Sequence, residues 1–303
     1  MLPPITSVPA AEVQLTVELI YALLREQHPD LSESPVVKLA EGWDNVMFRL
    51  GEGWLVRAPR RAIAANLVLS EQRWLPELAP RLCLPVPTPV RVGVPGCGYP
   101  WHWSVVPWLQ GRCLDEAEPC DAEQAVMFAQ FLRQLHQPAP ADAPKNPARG
   151  VPLAERARST EERLDRLRAQ TPLVDETILR VWEAGLAAPP SAASVWLHGD
   201  LHALNVLASE GRLSAVIDWG DLTSGDPASD LACAWLLFDA AEARHALIDA
   251  YAPDEALLSR ARSWAVLLGA VLLETGLANS PRHAALGAAT LQRLAREQHS
   301  AEL

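Results

Sequence analysis

The sequence lacks the features that mark several large classes of protein. It has no apolar run of the length that a membrane-spanning helix needs. Residues 1–13 have neither the basic nor the apolar region of a signal peptide, and no internal repeats are visible. The five cysteines include no CxxC pair. We therefore expect reduced thiols in a cytoplasmic protein that is not anchored in a membrane.

Basic residues are also in the minority. The chain has 37 acidic and 26 basic side chains, which gives a formal net charge of −11. Such a balance argues against nucleic acid or an anionic membrane surface as a partner. With 303 residues, 49% of them hydrophobic, the chain can bury one large core or two small ones. Its 11 tryptophans are scattered, which is typical of core packing.

The most informative part of the chain is the string HGDLHALN at His198–Asn205, followed by IDWGD at Ile217–Asp221. Between them lie a short apolar run at 206–208, a Gly-containing turn at 209–212 and a second apolar run. This pattern predicts two antiparallel strands joined by a tight turn. The outer ends of such strands lie side by side.

Asn205 opens the first predicted strand and Asp218 closes the second, so both should lie at the open end of the hairpin. Asp200 lies one loop upstream of that end. Mg²⁺ prefers oxygen ligands and usually takes one or two carboxylates together with nucleotide phosphates, which suits Asn205 and Asp218. A separate carboxylate must orient an acceptor hydroxyl and take its proton, and Asp200 suits that role. The pattern indicates phosphoryl transfer from a nucleotide.

These strings have the spacing of the general kinase template, H-R-D-x-x-x-x-N followed by D-F-G. Together with GDPASDLA at Gly225–Ala232, they resemble the aminoglycoside phosphotransferase family of small-molecule kinases. The resemblance implies an α+β, protein-kinase-like fold with two lobes. It places an N-terminal nucleotide-binding lobe, an antiparallel sheet with helices, at residues 1–106. A larger, mostly helical lobe for catalysis and acceptor binding takes residues 107–303.

The pattern of the N-terminal third agrees with this expectation. Apolar spacing and turn residues predict the order helix, strand, loop, hairpin, helix, hairpin. The predicted elements are a helix at 10–27, a strand at 36–39, a hairpin at 46–58, a helix at 62–78, and strands at 90–94 and 101–107.

Two residues of this region match the basic residue and carboxylate that kinases use at the nucleotide phosphates. The resemblance places Arg57, in the string VRAPR, at the position of the phosphate-binding residue on the third strand. It places Glu71 at the position of the helix carboxylate that holds it. Arginine can bind a phosphate or carboxylate through two parallel hydrogen bonds. Within the family, this string is most similar to the macrolide phosphotransferase branch.

The remaining nucleotide contacts are expected in two loops. The loop from Gly42 to Asn45 would cover the phosphates, although it lacks the repeated glycines of GxGxxG. The connector between the lobes would hold the base edge through its backbone. Pro107 has no N–H to offer, so Val106 and Trp108 are the candidates.

Helices dominate the prediction for the C-terminal part. Asp121–Gln124 reads as a capping box that opens a helix ending near His136. Residues 138–152 are rich in Pro and Ala and are predicted to be a linker or exposed loop. Two helices follow, at 153–170 and 174–187, and after IDWGD the chain is predicted to be helical, with breaks near Pro253 and Pro281.

The histidines of HGDLHALN have alternative interpretations. His198 is expected to brace the loop, as its counterpart does in kinase-like folds. His202 either contacts the transferred phosphate together with the catalytic Asp200 or is a half-exposed loop residue. The grouping of His198, Asp200 and His202 also suggests a zinc site, but no HExxH or similar string supplies further ligands.

The chain departs from the family pattern inside this loop. The family usually has Pro-Gly before the Asn, whereas this sequence has Ala203-Leu204. The loop must therefore make its turn without a glycine.

The resemblance implies an enzyme that uses ATP or GTP with Mg²⁺ to phosphorylate a hydroxyl of a small molecule. An aminoglycoside, a macrolide or a similar antibiotic is the expected acceptor, which would make the enzyme an antibiotic-resistance factor. Metabolic acceptors such as choline, homoserine or methylthioribose are alternatives. A catalytically silent module that binds nucleotide or ligand is the other alternative, from a different functional class.

Overall fold

A computed structural model of the chain describes residues 10–192 and 194–301. Residues 1–9, which belong to the segment assessed as a signal peptide, lie outside the described residues. The chain forms an α+β fold with an antiparallel sheet in its N-terminal part and a mostly helical C-terminal part.

The N-terminal part is a five-stranded antiparallel sheet with the strand order β1-β2-β3-β5-β4. Its elements are α1 (Val17–Gln27), β1 (Val36–Glu41), β2 (Asn45–Leu50), β3 (Trp54–Pro59), α2 (Ala62–Leu78), β4 (Arg91–Gly93) and β5 (Trp103–Pro107). The predicted α2 has the bounds seen in the structure. The predicted hairpins correspond to β2–β3 and β4–β5.

The predicted start of the first helix was wrong. Helix α1 begins at Val17, not near Ala10, because the Thr16 side chain caps it by accepting a hydrogen bond from the Leu19 N–H at 3.3 Å. The described residues before Thr16 are not helical, and the Glu12 N–H donates to the Arg60 carbonyl at 2.9 Å. A threonine in extended backbone is a strong start signal that the apolar spacing alone does not show.

The C-terminal part combines helices with short strands. Its elements are β6 (Arg112–Cys113), α3 (Ala122–Leu135), α4 (Leu153–Arg168), α5 (Glu176–Ala187), β7 (Val195–Leu197), β8 (Val206–Ser209), β9 (Arg212–Val216), β10 (Thr223–Gly225), α6 (Ala228–Leu231), α7 (Cys233–Leu237), α8 (Ala241–Tyr251), α9 (Glu255–Asn279) and α10 (Pro281–Ala301). Strands β8 and β9 form the predicted hairpin, with Glu210 and Gly211 in left-handed backbone at its turn. The hairpin prediction is confirmed.

Only half of the predicted capping box forms at α3. Asp121 accepts a hydrogen bond from the Gln124 N–H at 3.0 Å, as expected. The Gln124 side chain does not return the bond to Asp121. It instead accepts from the Leu213 N–H at 2.9 Å and so joins α3 to β9. A tertiary partner has replaced the local one.

Helix α9 corrects the expectation that no segment reaches transmembrane length. By length and composition it could cross a membrane, yet 67% of its apolar window is buried inside the protein. It packs along α10, and a side chain at Gly276 would meet the backbone of Ala284. Gly287 of α10 is equally close to the backbone of Leu273. These contacts identify α9 as a core helix that touches α10 backbone to backbone.

Two hydrophobic clusters stabilise the chain. The smaller one lies between α1 and the sheet and includes Ile20, Phe48 and Trp103. The larger one fills the C-terminal part and also takes in Trp74 of α2, whose ring lies 4.9 Å from that of Trp196. Five tryptophans are fully buried, which confirms the expectation of core packing. All five cysteines are free thiols, as predicted.

Candidate active site

The end of the β8–β9 hairpin brings Asn205 beside Asp200. The Ile217 N–H donates to the Asn205 carbonyl at 2.8 Å, which places Asn205 directly opposite the residue before Asp218. Asn205 Nδ2 donates to the Asp200 carbonyl at 2.9 Å and to Asp200 Oδ2 at 3.1 Å. Because the amide nitrogen faces Asp200, the amide oxygen is left to accept elsewhere.

The loop before Asn205 turns without the glycine that the family pattern has. The Asn205 N–H donates to the His202 carbonyl at 2.9 Å, which closes a turn through Ala203 and Leu204. Neither of these two residues has a positive φ. A turn of this kind does not require glycine, so the substitution leaves Asn205 in place.

Glycine is required at a different position of the loop. Gly199 has φ +87°, and a Cβ there would lie 2.5 Å from the Asp221 carbonyl oxygen. Its N–H and that of His198 donate to the two carboxylate oxygens of Asp230 on α6, at 2.9 and 2.7 Å. The side chain of Asp230 is completely buried and ties α6 to the loop.

His198 braces the same loop from inside. Its Nε2 lies 3.0 Å from the Ile217 carbonyl, and its Nδ1 accepts from the Asp200 N–H at 3.2 Å. Its ring also packs against Trp219, with the centroids 4.7 Å apart. Both ring nitrogens are used for loop geometry, so His198 is not available as a third zinc ligand.

Three donors surround the carboxylate of Asp200. Arg149 Nη2 lies 3.0 Å from Oδ1, and His202 Nε2 lies 3.3 Å from Oδ2, the oxygen that also accepts from Asn205. Burial alone would raise the pKa of Asp200, but the attraction of His202 and Arg149 outweighs it and holds that pKa well below its usual range. Asp200 is therefore ionised at neutral pH.

His202 is almost buried, and its two ring nitrogens contact Asp200 and the Leu204 N–H. Burial lowers its pKa, but the Asp200 carboxylate prevails and raises it. The Leu204 N–H donates to Nδ1 at 3.2 Å, which leaves Nε2 to carry the proton that faces Asp200. Its other neighbour is His283 at the start of α10, with ring centroids 6.4 Å apart.

Arg57, Glu71 and Asp218 form a chain of ion pairs across the two parts of the molecule. Arg57 on β3 donates through Nη1 to Glu71 Oε2 and through Nη2 to Asp218 Oδ1, each at 2.7 Å. Burial raises the pKa of Glu71 to about 7 against the attraction of Arg57. The Asp218 side chain is 57% exposed, so one end of the chain of ion pairs opens to solvent.

Asp218 adopts an unusual backbone conformation. Its φ of 60° and ψ of 71° put it in the left-handed region, which costs free energy for any residue other than glycine. Trp219 follows it in a turn of 3₁₀ helix and is buried, with its indole N–H donating to the Val216 carbonyl at 3.1 Å. The surrounding packing thus fixes the Asp218 carboxylate in a strained position at the end of β9.

The predicted phosphate loop joins β1 to β2 and is held by two arginines that follow β3. Arg60 Nη1 donates to the Gly42 carbonyl at 2.9 Å. Arg61 Nε donates to the Trp43 carbonyl at 3.1 Å, and its Nη2 to Asp44 Oδ1 at 2.6 Å. Gly42 has no positive φ, so its conformation does not require glycine. The loop is therefore shaped by side chains and not by a glycine-rich sequence.

The structure places Asn45 against Arg57. With its amide oxygen turned toward the guanidinium, Asn45 Oδ1 lies 3.2 Å from Arg57 Nε. The residue is buried at the start of β2. Asn45 can therefore affect nucleotide binding by orienting Arg57, and its own buried side chain is poorly placed for a direct contact.

The connector at the end of β5 carries Val106 and Trp108. Val106 is buried and lies opposite Leu55 of β3 in the sheet. The Trp108 N–H donates to the Gly53 carbonyl at 2.8 Å, so this donor is already in use. The Trp108 ring lies 4.0 Å below the Arg49 guanidinium. Of the two candidates, Trp108 has only its carbonyl to offer to a base edge.

Sequence reasoning missed Arg149, Arg60 and Arg61. Arg149 lies in the stretch 138–152, which was predicted to be a linker or exposed loop, and this part of the prediction was wrong at Arg149. No local signal marks that residue, because its partner Asp200 is 51 positions away. Arg60 and Arg61 lie three and four residues after Arg57, and three arginines within five positions could have drawn attention to them.

The oxygen-bearing groups fit a magnesium ion bound mainly through a nucleotide. Among the described residues, no group of three or more His, Cys, Asp and Glu side chains could hold a metal by itself. Mg²⁺ does not need such a group, since it keeps several waters and takes one or two protein ligands beside phosphate oxygens. The exposed Asp218 carboxylate and the free amide oxygen of Asn205 match this requirement.

Solved structures share this architecture. The GDP complex of aminoglycoside 2'-phosphotransferase-IIIa is 20% identical, with a TM-score of 0.65 over 93% of this chain and 100% of that chain. Macrolide 2'-phosphotransferase MphH from Brachybacterium faecium is 23% identical, with a TM-score of 0.59 over 91% and 98%. The streptomycin-ATP-APH(2")-IIa ternary complex is 19% identical, with a TM-score of 0.60 over 86% and 90%.

The chain has the fold of these structures, with HGDLHALN and IDWGD brought together at one end of the β8–β9 hairpin. The model of the phosphotransferase enzyme family, APH, matches residues 35–264, and the chain belongs to this family. The resemblance read from the sequence is thereby confirmed, and the chain is an enzyme of the phosphotransferase type. A search of curated protein sequences gives no significant match.

Proposed function

We propose that the enzyme transfers the γ-phosphate of ATP or GTP to a hydroxyl of a small molecule, with an aminoglycoside, macrolide or similar antibiotic as the acceptor. The observation that carries the proposal is the hydrogen-bonded group of Asp200 and Asn205 at the hairpin end that also presents Asp218. The similar structures support both donors and both antibiotic classes, since they include complexes with GDP and with ATP and a macrolide phosphotransferase.

In the proposed reaction, Asp200 accepts a hydrogen bond from the acceptor hydroxyl and orients it toward the γ-phosphorus. A bond forms between the hydroxyl oxygen and phosphorus while the bond to the bridging β–γ oxygen breaks. The bridging oxygen leaves with the nucleoside diphosphate, and the hydroxyl proton passes to Asp200. His202, beside Asp200, faces the transferred group.

The nucleotide would lie between the two parts of the chain. Arg57, held by Glu71, steadies the triphosphate, and the loop from Gly42 to Asn45 covers it. Mg²⁺ would be held by Asn205 and Asp218 and would neutralise charge on the phosphates. The connector at Val106 and Trp108 would line the base.

The same proposal divides the chain into functional regions. Residues 1–106 form the nucleotide-binding lobe and residues 107–303 the catalytic and acceptor-binding lobe. The acceptor lies between the catalytic loop and the start of α10, where His283 faces His202. We place the enzyme in the cytoplasm, where ATP, GTP and an antibiotic that has entered the cell are together available.

Nucleotide consumption with Mg²⁺ tests the proposal. The panel of acceptors combines aminoglycosides, macrolides and the alcohols choline, homoserine and methylthioribose, with ATP and GTP as separate donors. The product is identified by the mass of one added phosphoryl group. We expect Asp200→Asn to lower transfer by about 10²–10⁴-fold while nucleotide affinity stays nearly unchanged.

Asp239→Asn is the matched control, because Asp239 follows α7 and its side chain is 82% exposed, paired only with Arg293 among the contacts of the described residues. It should leave transfer unchanged. Nucleotide binding without transfer to any acceptor would instead identify a silent binding module, and full activity of Asp200→Asn would remove Asp200 from the mechanism.

A further inference from the structure

The segment between α3 and α4 is fixed against the catalytic loop. Its Pro144 carbonyl accepts from the Ser224 N–H at 3.1 Å, and its Gly150 carbonyl accepts from the Asp226 N–H at 2.8 Å. Gly150 has φ +65°, and its backbone lies so close to Gly225 that a side chain at Gly225 would overlap it. The residues between these two anchors are therefore held beside β10.

Arg149 directs its guanidinium from this segment to Asp200. Its Nη2 lies 3.0 Å from Asp200 Oδ1, and its side chain is only 16% exposed. Its Nε is buried and has no hydrogen-bond partner. A buried guanidinium with an unused donor is costly unless a negative charge compensates for it. The compensating carboxylate that it contacts is the one at the centre of the site.

The neighbours of Arg149 keep it in this position. Asn146 of the same segment donates to Asp221 Oδ1 at 2.6 Å, which fixes a second carboxylate beside the guanidinium. Burial opposes the charge of Arg149, but Asp200 and then Asp221 stabilise it and raise its pKa. The cation is therefore permanent at any pH at which the protein is folded.

The three donors to the Asp200 carboxylate come from two different parts of the chain. Asn205 and His202 belong to the same loop as Asp200 and approach Oδ2. Arg149 comes from a different segment and approaches Oδ1. We infer that Arg149 is a positioning residue that fixes the Asp200 carboxylate from outside its own loop, so that the acceptor hydroxyl meets it in one orientation. This inference rests on the proposed function, in which Asp200 receives the hydroxyl.

Kinetics of three variants test the inference. We expect Arg149→Met to lower kcat by about 10–100-fold while the KM for nucleotide changes less than about twofold, because a misplaced catalytic group slows the chemical step. Arg149→Lys should retain part of kcat, since it keeps the charge without the planar fork. Added guanidinium ion should restore part of the activity of Arg149→Met.

Lys145→Met is the matched control. Lys145 lies in the same segment and donates to Ser224 Oγ at 2.7 Å, so its loss removes one side-chain contact while the backbone anchors at Pro144 and Gly150 and the Arg149–Asp200 contact remain. We expect its kcat to match the wild type and guanidinium to have no effect on it. Equal losses in Arg149→Met and Lys145→Met, or no rescue by guanidinium, would overturn the inference in favour of a purely structural role.

Crystal structures of the variants test the same contact without any turnover. In Arg149→Met the Asp200 carboxylate should rotate or occupy two conformers, and in Lys145→Met it should remain as in the wild type. An unmoved carboxylate in Arg149→Met would overturn the inference. If the wild type transfers no phosphate to any acceptor, the proposed function fails, and this structural comparison still decides whether Arg149 positions Asp200.

Discussion

At the scale of single residues, the site depends on backbone conformations that few residues adopt. Gly199 and Asp218 both lie in the left-handed region, one before Asp200 and one after β9. For Gly199 the requirement is steric as well, because of the nearby Asp221 carbonyl. The general template has Arg at this place, whereas this chain has a glycine that its own geometry demands.

Replacement of Gly199 by alanine should therefore destabilise the protein. We expect a loss of about 2 kcal/mol or more of unfolding free energy, from backbone strain and from the clash with the Asp221 carbonyl. Urea unfolding measures it. Gly53→Ala is the control, since Gly53 has no positive φ and its added Cβ would meet nothing within 4 Å. Equal unfolding midpoints for the two variants would show that the loop relaxes around the methyl group.

At the scale of elements, side chains that are distant in sequence shape the loops of the site. The β1–β2 loop is held by Arg60 and Arg61, which follow β3, and the catalytic loop is held by Asp230 of α6. Such contacts fix carbonyl and N–H groups that a glycine-rich loop would leave free. Loss of one hydrogen bond from a charged side chain costs about 1.5–3 kcal/mol, and this free energy limits the size of the change expected when one such arginine is removed.

Arg61→Ala tests this at the nucleotide side. The loss of two hydrogen bonds, to the Trp43 carbonyl and to Asp44, frees the loop. We expect the KM for nucleotide to rise about 3–10-fold with little change in kcat. Arg91→Ala, which removes an exposed ion pair between β4 of the same sheet and Asp30 outside the sheet, should change neither constant. A fall in kcat alone would mean that the loop acts on the chemical step.

How much the sequence could predict depended on how local each signal was. The β8–β9 hairpin and α2 followed directly from apolar spacing and turn residues, and the structure confirms them. The contact between Arg57 and Glu71 was predicted correctly only because the family resemblance assigned the two residues to matching positions. Arg149 could not be predicted, since nothing near it in the sequence indicates that its segment lies beside the catalytic loop.

At the scale of the whole molecule, the Arg57–Asp218 ion pair joins the two parts of the chain and Glu71 lies behind it. The pKa of Glu71, about 7 in the folded protein against 4.5 ordinarily, means that folding favours its protonated form. Stability from this group is therefore complete below about pH 4.5 and is lost as the pH rises through about 7.

Thermal or urea unfolding at several pH values tests this linkage. Between pH 5 and 7, the wild type should lose about 2 kcal/mol of unfolding free energy relative to Glu71→Gln, whose amide does not titrate. Contributions from other groups are common to both proteins and cancel. Glu77→Gln, on the exposed side of the same helix, should follow the wild-type curve. Parallel curves for the wild type and Glu71→Gln would contradict the prediction.

The backbone contact between α9 and α10 limits how the enzyme could change its acceptor. At Gly276 and Gly287 the backbones of the two helices are in direct contact, with no room for a side chain between them. If the acceptor binds as proposed, new substrates have to be accommodated by exchanging side chains at the tip of this helix pair, around His283, and not by moving the helices apart. Directed evolution of substrate range should accordingly accumulate mutations at this tip and leave the glycines untouched.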